Sequence, residues 1–285
     1  MKTMIKSFFR VASVLSPHVA GSLALDLFQR PLNKKLRKRE KAFFERVGGF
    51  SVPFPYEDIQ CYELGPTDGN LVIMVHGWES NAASLSAIAE RLAAQGCYVV
   101  LFNLPAHGFS KLKKANLKIS SDALLAVIDH INPIEPFSIV SHSFGSAVTS
   151  YALSKIGLEV DQLVFLTTPN KLTDVFDEYG RFIGLSKRAS QKMNDRASKL
   201  LREPLDNMRV DRFGELVRFN RLTIIHDVDD KIINVEKART VSEAVDRVEL
   251  VETNGKGHYR MLWDSEVVDR VGQALIKDKE QLLTN

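Results

Sequence analysis

A serine stands at an abrupt junction in FSIVSHSFGSAV, residues 137–148. An apolar run, 137–141, passes straight into Ser-His-Ser-Phe-Gly-Ser and then into a helical pattern. Such a junction is either a structural corner with a capping serine or a turn that holds Ser143 out for chemistry. A serine hydroxyl is a poor nucleophile without a base in hydrogen-bond reach. The base in turn needs a carboxylate to hold its working tautomer. Among seven histidines, His258 follows Gly255 and Gly257, in a loop able to carry an imidazole over a sheet edge. The run HDVDDKII offers three carboxylates, Asp227, Asp229 and Asp230, of which one is needed. His76-Gly77-Trp78 is a further polar turn directly after the apolar run LVIMV.

The elements that must position these groups follow from apolar patterning. Strands are expected at 50–54, 59–64, 71–75, 98–102, 137–141, 162–166, 221–226 and 248–251. Helices are expected at 83–95, from Ser120 or Ser121 to 131, and at 144–155, 235–245 and 265–276. Apolar strands alternating with helices predict an α/β fold, a mostly parallel eight-stranded sheet flanked by helices, with antiparallel strands at its start. The polar, helix-patterned stretch 170–218 breaks the rhythm and reads as a short helical lid inserted over the strand ends. Parallel sheets present ligands at the carboxyl ends of their strands. Ser143, the His76 turn, the three aspartates and His258 all follow strands there.

The chain has 285 residues, 45% hydrophobic and 26% charged, so it can bury a sizeable core. A net charge of +3 (38 basic less 35 acidic side chains) gives no argument for nucleic acid. Cys61 and Cys97 read as buried free thiols, and no Cys/His spacing of metal type occurs, so neither metal nor cofactor is expected. Residues 1–47 read as an N-terminal segment of one or two amphipathic helices packing on the body, which runs from 48 to 285. The uncharged run 11–25 is interrupted by Pro17 and His18 and lacks a clean cleavage site, which argues against a signal peptide and for a cytoplasmic chain. The basic run 33–46 is a solvated face, or a weak peripheral contact with an anionic membrane surface. Oligomeric state is left open.

Five motifs together resemble the α/β-hydrolase superfamily, in its small esterase-like serine hydrolases. SHSFG is similar to the nucleophile elbow usually written G-x-S-x-G, with Ser141 in place of the first glycine. HGW resembles the oxyanion loop, NLPAHGFS the following loop with Asn103 where aspartate is usual, HDVDDKII the acid loop, and GKGHYRML the segment of the triad histidine. The resemblance covers about residue 50 to the end. It implies a triad of Ser143, Asp230 and His258, with Asp229 the competing acid, and an oxyanion hole from the backbone N–H groups of Trp78 and Phe144. It also implies that His76 and His107 shape loops. Trp78, Phe109, Phe176, Tyr179 and Phe182 line an apolar substrate pocket on this reading, or are plain packing of lid on body.

The expected function is hydrolysis of a small carboxylic ester through an acyl-enzyme. The same triad serves thioesterases, amidases and peptidases, and the same scaffold serves ligand-binding proteins without turnover.

Overall fold

In the computed structural model, residues 2–32, 35–213 and 215–276 are described. Asn33 and Lys34 of the basic run, Gly214 of the expected insertion, and 277–285 lie outside them. The chain runs through helices α1 (Lys2–Leu15), α2 (Pro17–Phe28) and α3 (Lys38–Phe44), then strands β1 (Gly48–Val52), β2 (Ile59–Leu64) and β3 (Leu71–Val75). Helix α4 (Ser86–Ala94), β4 (Tyr98–Phe102), α5 (Leu117–Ile131), β5 (Phe137–His142), α6 (Phe144–Leu153) and β6 (Glu159–Leu166) continue it. Helices α7 (Leu172–Ile183), α8 (Lys187–Leu201) and the short α9 (Val210–Phe213) precede β7 (Arg218–Asp227). Helix α10 (Glu236–Ala244), β8 (Val248–Thr253), the one-turn α11 (Gly257–Arg260) and α12 (Ser265–Ile276) complete it.

The eight strands form one sheet in the order β1-β2-β4-β3-β5-β6-β7-β8. The pairs β1–β2 and β2–β4 are antiparallel, and every other pair is parallel. Alternate residues feed two cores. Ile73 and Val75 join Phe102, Ile139 and Phe165 on one face, under α5, α6 and α10. Val72 and Met74 join Leu101, Val140 and Leu166 on the other, under α4 and α12. A strand buried on both faces must be apolar throughout, which is why β3 and β4 show no polar alternation.

Several boundaries differ from the sequence expectation for local reasons. Strand β1 spans Gly48–Val52, short of 54, because Pro53 has no N–H to extend the ladder. Helix α5 starts at Leu117, capped by Asn116, whose Oδ1 accepts from the N–H of Ile119. Ser121, which reads in sequence as a cap, is buried mid-helix and its hydroxyl donates to the Val148 carbonyl instead. Pro17 does not merely interrupt the N-terminal run. It occupies the first turn of α2, where its missing N–H is no loss, and Ser16 caps that helix.

Helices α1 and α2 lie against α7 and α8 rather than directly on the sheet. Gly21 of α2 packs so tightly on α8 that a β-carbon there would come 2.6 Å from the Ala189 carbonyl oxygen. The Ser186 N–H donates to Ser13 Oγ, and the Tyr179 hydroxyl to the Ala24 carbonyl.

Candidate active site

Ser143 sits between β5 and α6 at φ 54°, ψ −120°, strained backbone for a residue with a side chain. The strain is held from both sides. Its N–H donates to the Leu166 carbonyl, and its carbonyl accepts from Ser146. Gly145 is required where the turn meets β3, since a β-carbon there would lie 2.3 Å from the Val75 carbonyl oxygen. Ser141, the departure from the usual motif, fits because its buried hydroxyl pairs with Thr149 Oγ1 of α6 at 2.7 Å.

His258, on α11, places Nε2 3.1 Å from Ser143 Oγ. Its Nδ1 lies 2.7 Å from Asp230 Oδ2. Asp230 Oδ1 accepts from the N–H groups of Ile232 and Ile233 at 2.7 and 3.0 Å. Burial alone raises a carboxyl pKa, but the hydrogen bond and charge of His258 and these two amides outweigh it and hold Asp230 below the ordinary range. The structure thus brings Ser143, His258 and Asp230 into one relay. Asp227 and Asp229 are turned to other work. Asp227 accepts from Thr253 Oγ1 and from the Lys256 and Asp229 amides, fastening the His258 loop to the end of β7. Asp229 accepts from the Gly255 amide.

Two further histidines support the site: His142, which carries no role in the sequence analysis, and His76, which shapes its loop as the resemblance implies. His142 Nε2 donates to the His258 carbonyl at 3.0 Å, and the two rings lie 4.9 Å apart. Burial and the neighbouring His258 push its pKa down to about 3, so it is a neutral donor. His76 Nε2 accepts from the Leu104 amide, so its proton is on Nδ1, which donates to the Gly77 carbonyl at 2.8 Å. Burial and His107 hold His76 well below the usual imidazole range. With the Gly77 carbonyl pinned on one side, the trans peptide directs the Trp78 N–H the opposite way. Gly77 itself lies against the elbow, and a β-carbon there would meet His142 Nδ1 at 2.9 Å. Asn103 is structural, its Oδ1 accepting from the Ala82 amide.

A cavity of about 490 Å³ opens at Ser143. Trp78, Phe144, Tyr179, Phe182, Met208 and Ile233 are among its mostly apolar lining. Phe109 is not there. Positive φ at Ala106 and Gly108 turns its loop away, and the Phe109 ring is half exposed against Phe44. Phe176 is not there either, being buried edge-on against Phe28. The wall that sequence reasoning missed is Phe28 itself. It comes from α2, stacks on Trp78 at 5.8 Å and contacts Tyr179. No local pattern marks it, because the contact joins residues fifty positions apart. Leu32, just after α2, donates to Glu79 Oε1 beside the Trp78 turn, so the N-terminal segment also steadies that loop.

Among the described residues no cluster of three His, Cys, Asp or Glu side chains is arranged to hold a metal ion. Cys61 and Cys97 are buried and not joined in a disulfide, and burial raises the Cys61 thiol to about 12.

Residues 70–183 match the family described as alpha/beta hydrolase fold. A serine hydrolase-like protein of Danio rerio is 23% identical over 158 residues, 53% of this chain and 48% of that protein. A human serine hydrolase-like protein is 28% identical over 146 residues, 50% of this chain and 71% of that protein. The chain thus spans about half the length of the first of these relatives. Among solved structures, an esterase of Pyrococcus furiosus superposes with a TM-score of 0.66 at 19% identity, over 87% of this chain and 98% of that one. A bromoperoxidase of Bacillus anthracis superposes with a TM-score of 0.62 at 14% identity, over 81% and 100%. Two neighbours named for different activities share the architecture, so the likeness speaks to fold and the site must speak to chemistry. Strand order, the elbow between β5 and α6, the matched family and these superpositions agree that the chain has the α/β-hydrolase fold.

Proposed function

We propose that the chain is a serine hydrolase that cleaves a carboxylic ester through an acyl-enzyme. The observation that carries this is the unbroken relay from Ser143 Oγ through His258 to Asp230, opening onto a mostly apolar cavity. His258 Nε2 takes the Ser143 proton as Oγ attacks the carbonyl carbon. The Asp230 carboxylate stabilises the imidazolium through Nδ1–H. The N–H groups of Phe144 and Trp78 receive the developing oxyanion, and the amino end of α6 adds a favourable dipole. His258 returns its proton to the leaving alkoxide as the C–O bond breaks, then activates water to release the acid.

The cavity lining supports an apolar acyl or alcohol group, with Lys171, Glu178 and Lys231 as its charged members. Helices α7 and α8 act as the lid of this site, with α2 as a fixed wall. Names of relatives as serine hydrolase-like, and of a structural neighbour as an esterase, are in keeping with the reading. The test is hydrolysis of a series of p-nitrophenyl acyl esters by wild type, Ser143→Ala and His258→Ala. Loss of turnover in both variants, with unchanged melting temperature, is the expected outcome. Activity near wild type in either variant refutes the assignment.

A further inference from the structure

Helix α1 is apolar on the side that faces outward. A surface helix ordinarily buries its apolar stripe and turns a polar face to water. Here Phe9 is 3% exposed and Ile5 packs on the core, while Ser13 Oγ holds the Ser186 amide, so the inner side is fully used. On the outer side Met4, Phe8, Val11 and Leu15 are 76, 55, 60 and 80% exposed. Their 4-3-4 spacing places them in one row along the helix. Val19 and Leu23 of α2, one turn apart, are exposed as well.

Charge identifies what covers this row. Residues 1–25 contain Lys2, Lys6, Arg10 and His18 and no acidic side chain. Lys6 and Arg10 are exposed and lie beside Gly184, where a β-carbon would come 2.8 and 3.4 Å from their respective Cγ atoms. Lys187 and Arg188 follow Ser186, the residue bonded to Ser13. An exposed apolar row on a segment whose charged side chains are all basic matches an anionic lipid surface, which takes apolar side chains into its acyl boundary and neutralises the bases at its headgroups. Residues 1–25 of a second copy offer these bases no carboxylate. Helix α1 has 14 residues, and no described helix is long and apolar enough to cross a membrane, so the helix would lie in the interface rather than span it.

We infer that the outer face of α1 docks the protein on an anionic lipid bilayer. Phe182, which lines the cavity, lies two residues before Gly184, the point where α7 meets Lys6. Docking therefore sets the cavity close to the lipid surface. The inference does not depend on the proposed activity, because its test reads binding and no turnover.

The test is co-sedimentation of the full chain with phosphatidylcholine vesicles, with and without phosphatidylglycerol, beside the double variant Phe8→Ser/Leu15→Ser. Both side chains are exposed and outside the proposed catalytic machinery, so the fold is expected to survive, and a thermal melt checks that. Wild type should sediment with the phosphatidylglycerol vesicles, weaken as salt rises, and stay in solution with phosphatidylcholine alone. The double variant should bind at least about tenfold more weakly, given the apolar area removed. Wild type that ignores anionic vesicles, or a folded double variant that binds them equally, overturns the inference. So does equal binding to both vesicle types. A wild-type dimer that the double variant splits, without vesicle binding, assigns the face to a second copy and overturns it too.

Discussion

His142 holds His258 by its backbone: the 3.0 Å hydrogen bond from His142 Nε2 to the His258 carbonyl joins the residue beside the nucleophile to the residue proposed as its base. The contact spans 116 positions of sequence and is buried. Its effect is to set where the imidazole hangs, without touching substrate. His142→Ala should therefore lower kcat by roughly 10- to 100-fold with little change in KM, as expected when a catalytic group is mispositioned. His142→Gln, which can donate from an amide, should recover part of the loss. Equal kcat in wild type and His142→Ala would show that the loop holds His258 unaided.

Acid should destabilise the fold well above the carboxylate range. His76, His142 and His226 are all shifted downward, chiefly by burial, so the folded chain disfavours their protonation. In the unfolded chain each protonates below about pH 6.5. The unfolded state then binds more protons, and stability falls as pH falls through that value. Each histidine contributes a slope of up to about 1.4 kcal/mol per pH unit, or about 4 kcal/mol for three. For His142 the window extends down to its folded value of about 3. Asp227 and Asp230, shifted downward, add their own loss only below about pH 3.9. Thermal melts between about pH 8 and pH 5 should show Tm falling with acid, and a flat profile would contradict this.

Ser141→Gly restores the usual small residue of the elbow and should leave activity within a few-fold of wild type. It removes the hydrogen bond to Thr149 and adds backbone freedom to β5, so stability should fall by about 1–2 kcal/mol. Chemical denaturation beside kcat measurements separates the two effects. A large gain in kcat would mean that Ser141 weakens the turn.

Phe28→Ala should widen the cavity from the side of α2. Activity on long acyl esters should hold or rise relative to short ones, while stability drops by about 2–4 kcal/mol through lost contacts with Trp78, Phe176 and Tyr179. An unchanged chain-length profile would remove Phe28 from the substrate wall.

These residues also show what could be read from sequence. The sheet and its order of elements were legible because β3 to β7 are apolar runs separated by helical periods, and because ligand-bearing turns follow strand ends. Ser143, Asp230 and His258 each stand in a local motif, so they could be nominated without knowing their distances. Choosing Asp230 over Asp229 needed the pattern of the resembled family. In the structure the neighbouring amides of Ile232 and Ile233 orient that carboxylate. What escaped was whatever depends on contacts across the fold. Phe28 reaches the cavity only because α2 packs on α8, and His142 reaches His258 only once β5 and α11 are adjacent. Phe109 failed for the converse reason, since an aromatic near a motif carries no sign of which way its loop turns.

Labelling with a fluorophosphonate probe, read by intact mass, tests the central claim most directly, because only a serine activated by its base is phosphonylated quickly. Wild type should gain one adduct, and Ser143→Ala none. A correctly folded wild type that gains no adduct, or a Ser143→Ala variant that is labelled like wild type, would contradict the assignment of Ser143 as the nucleophile.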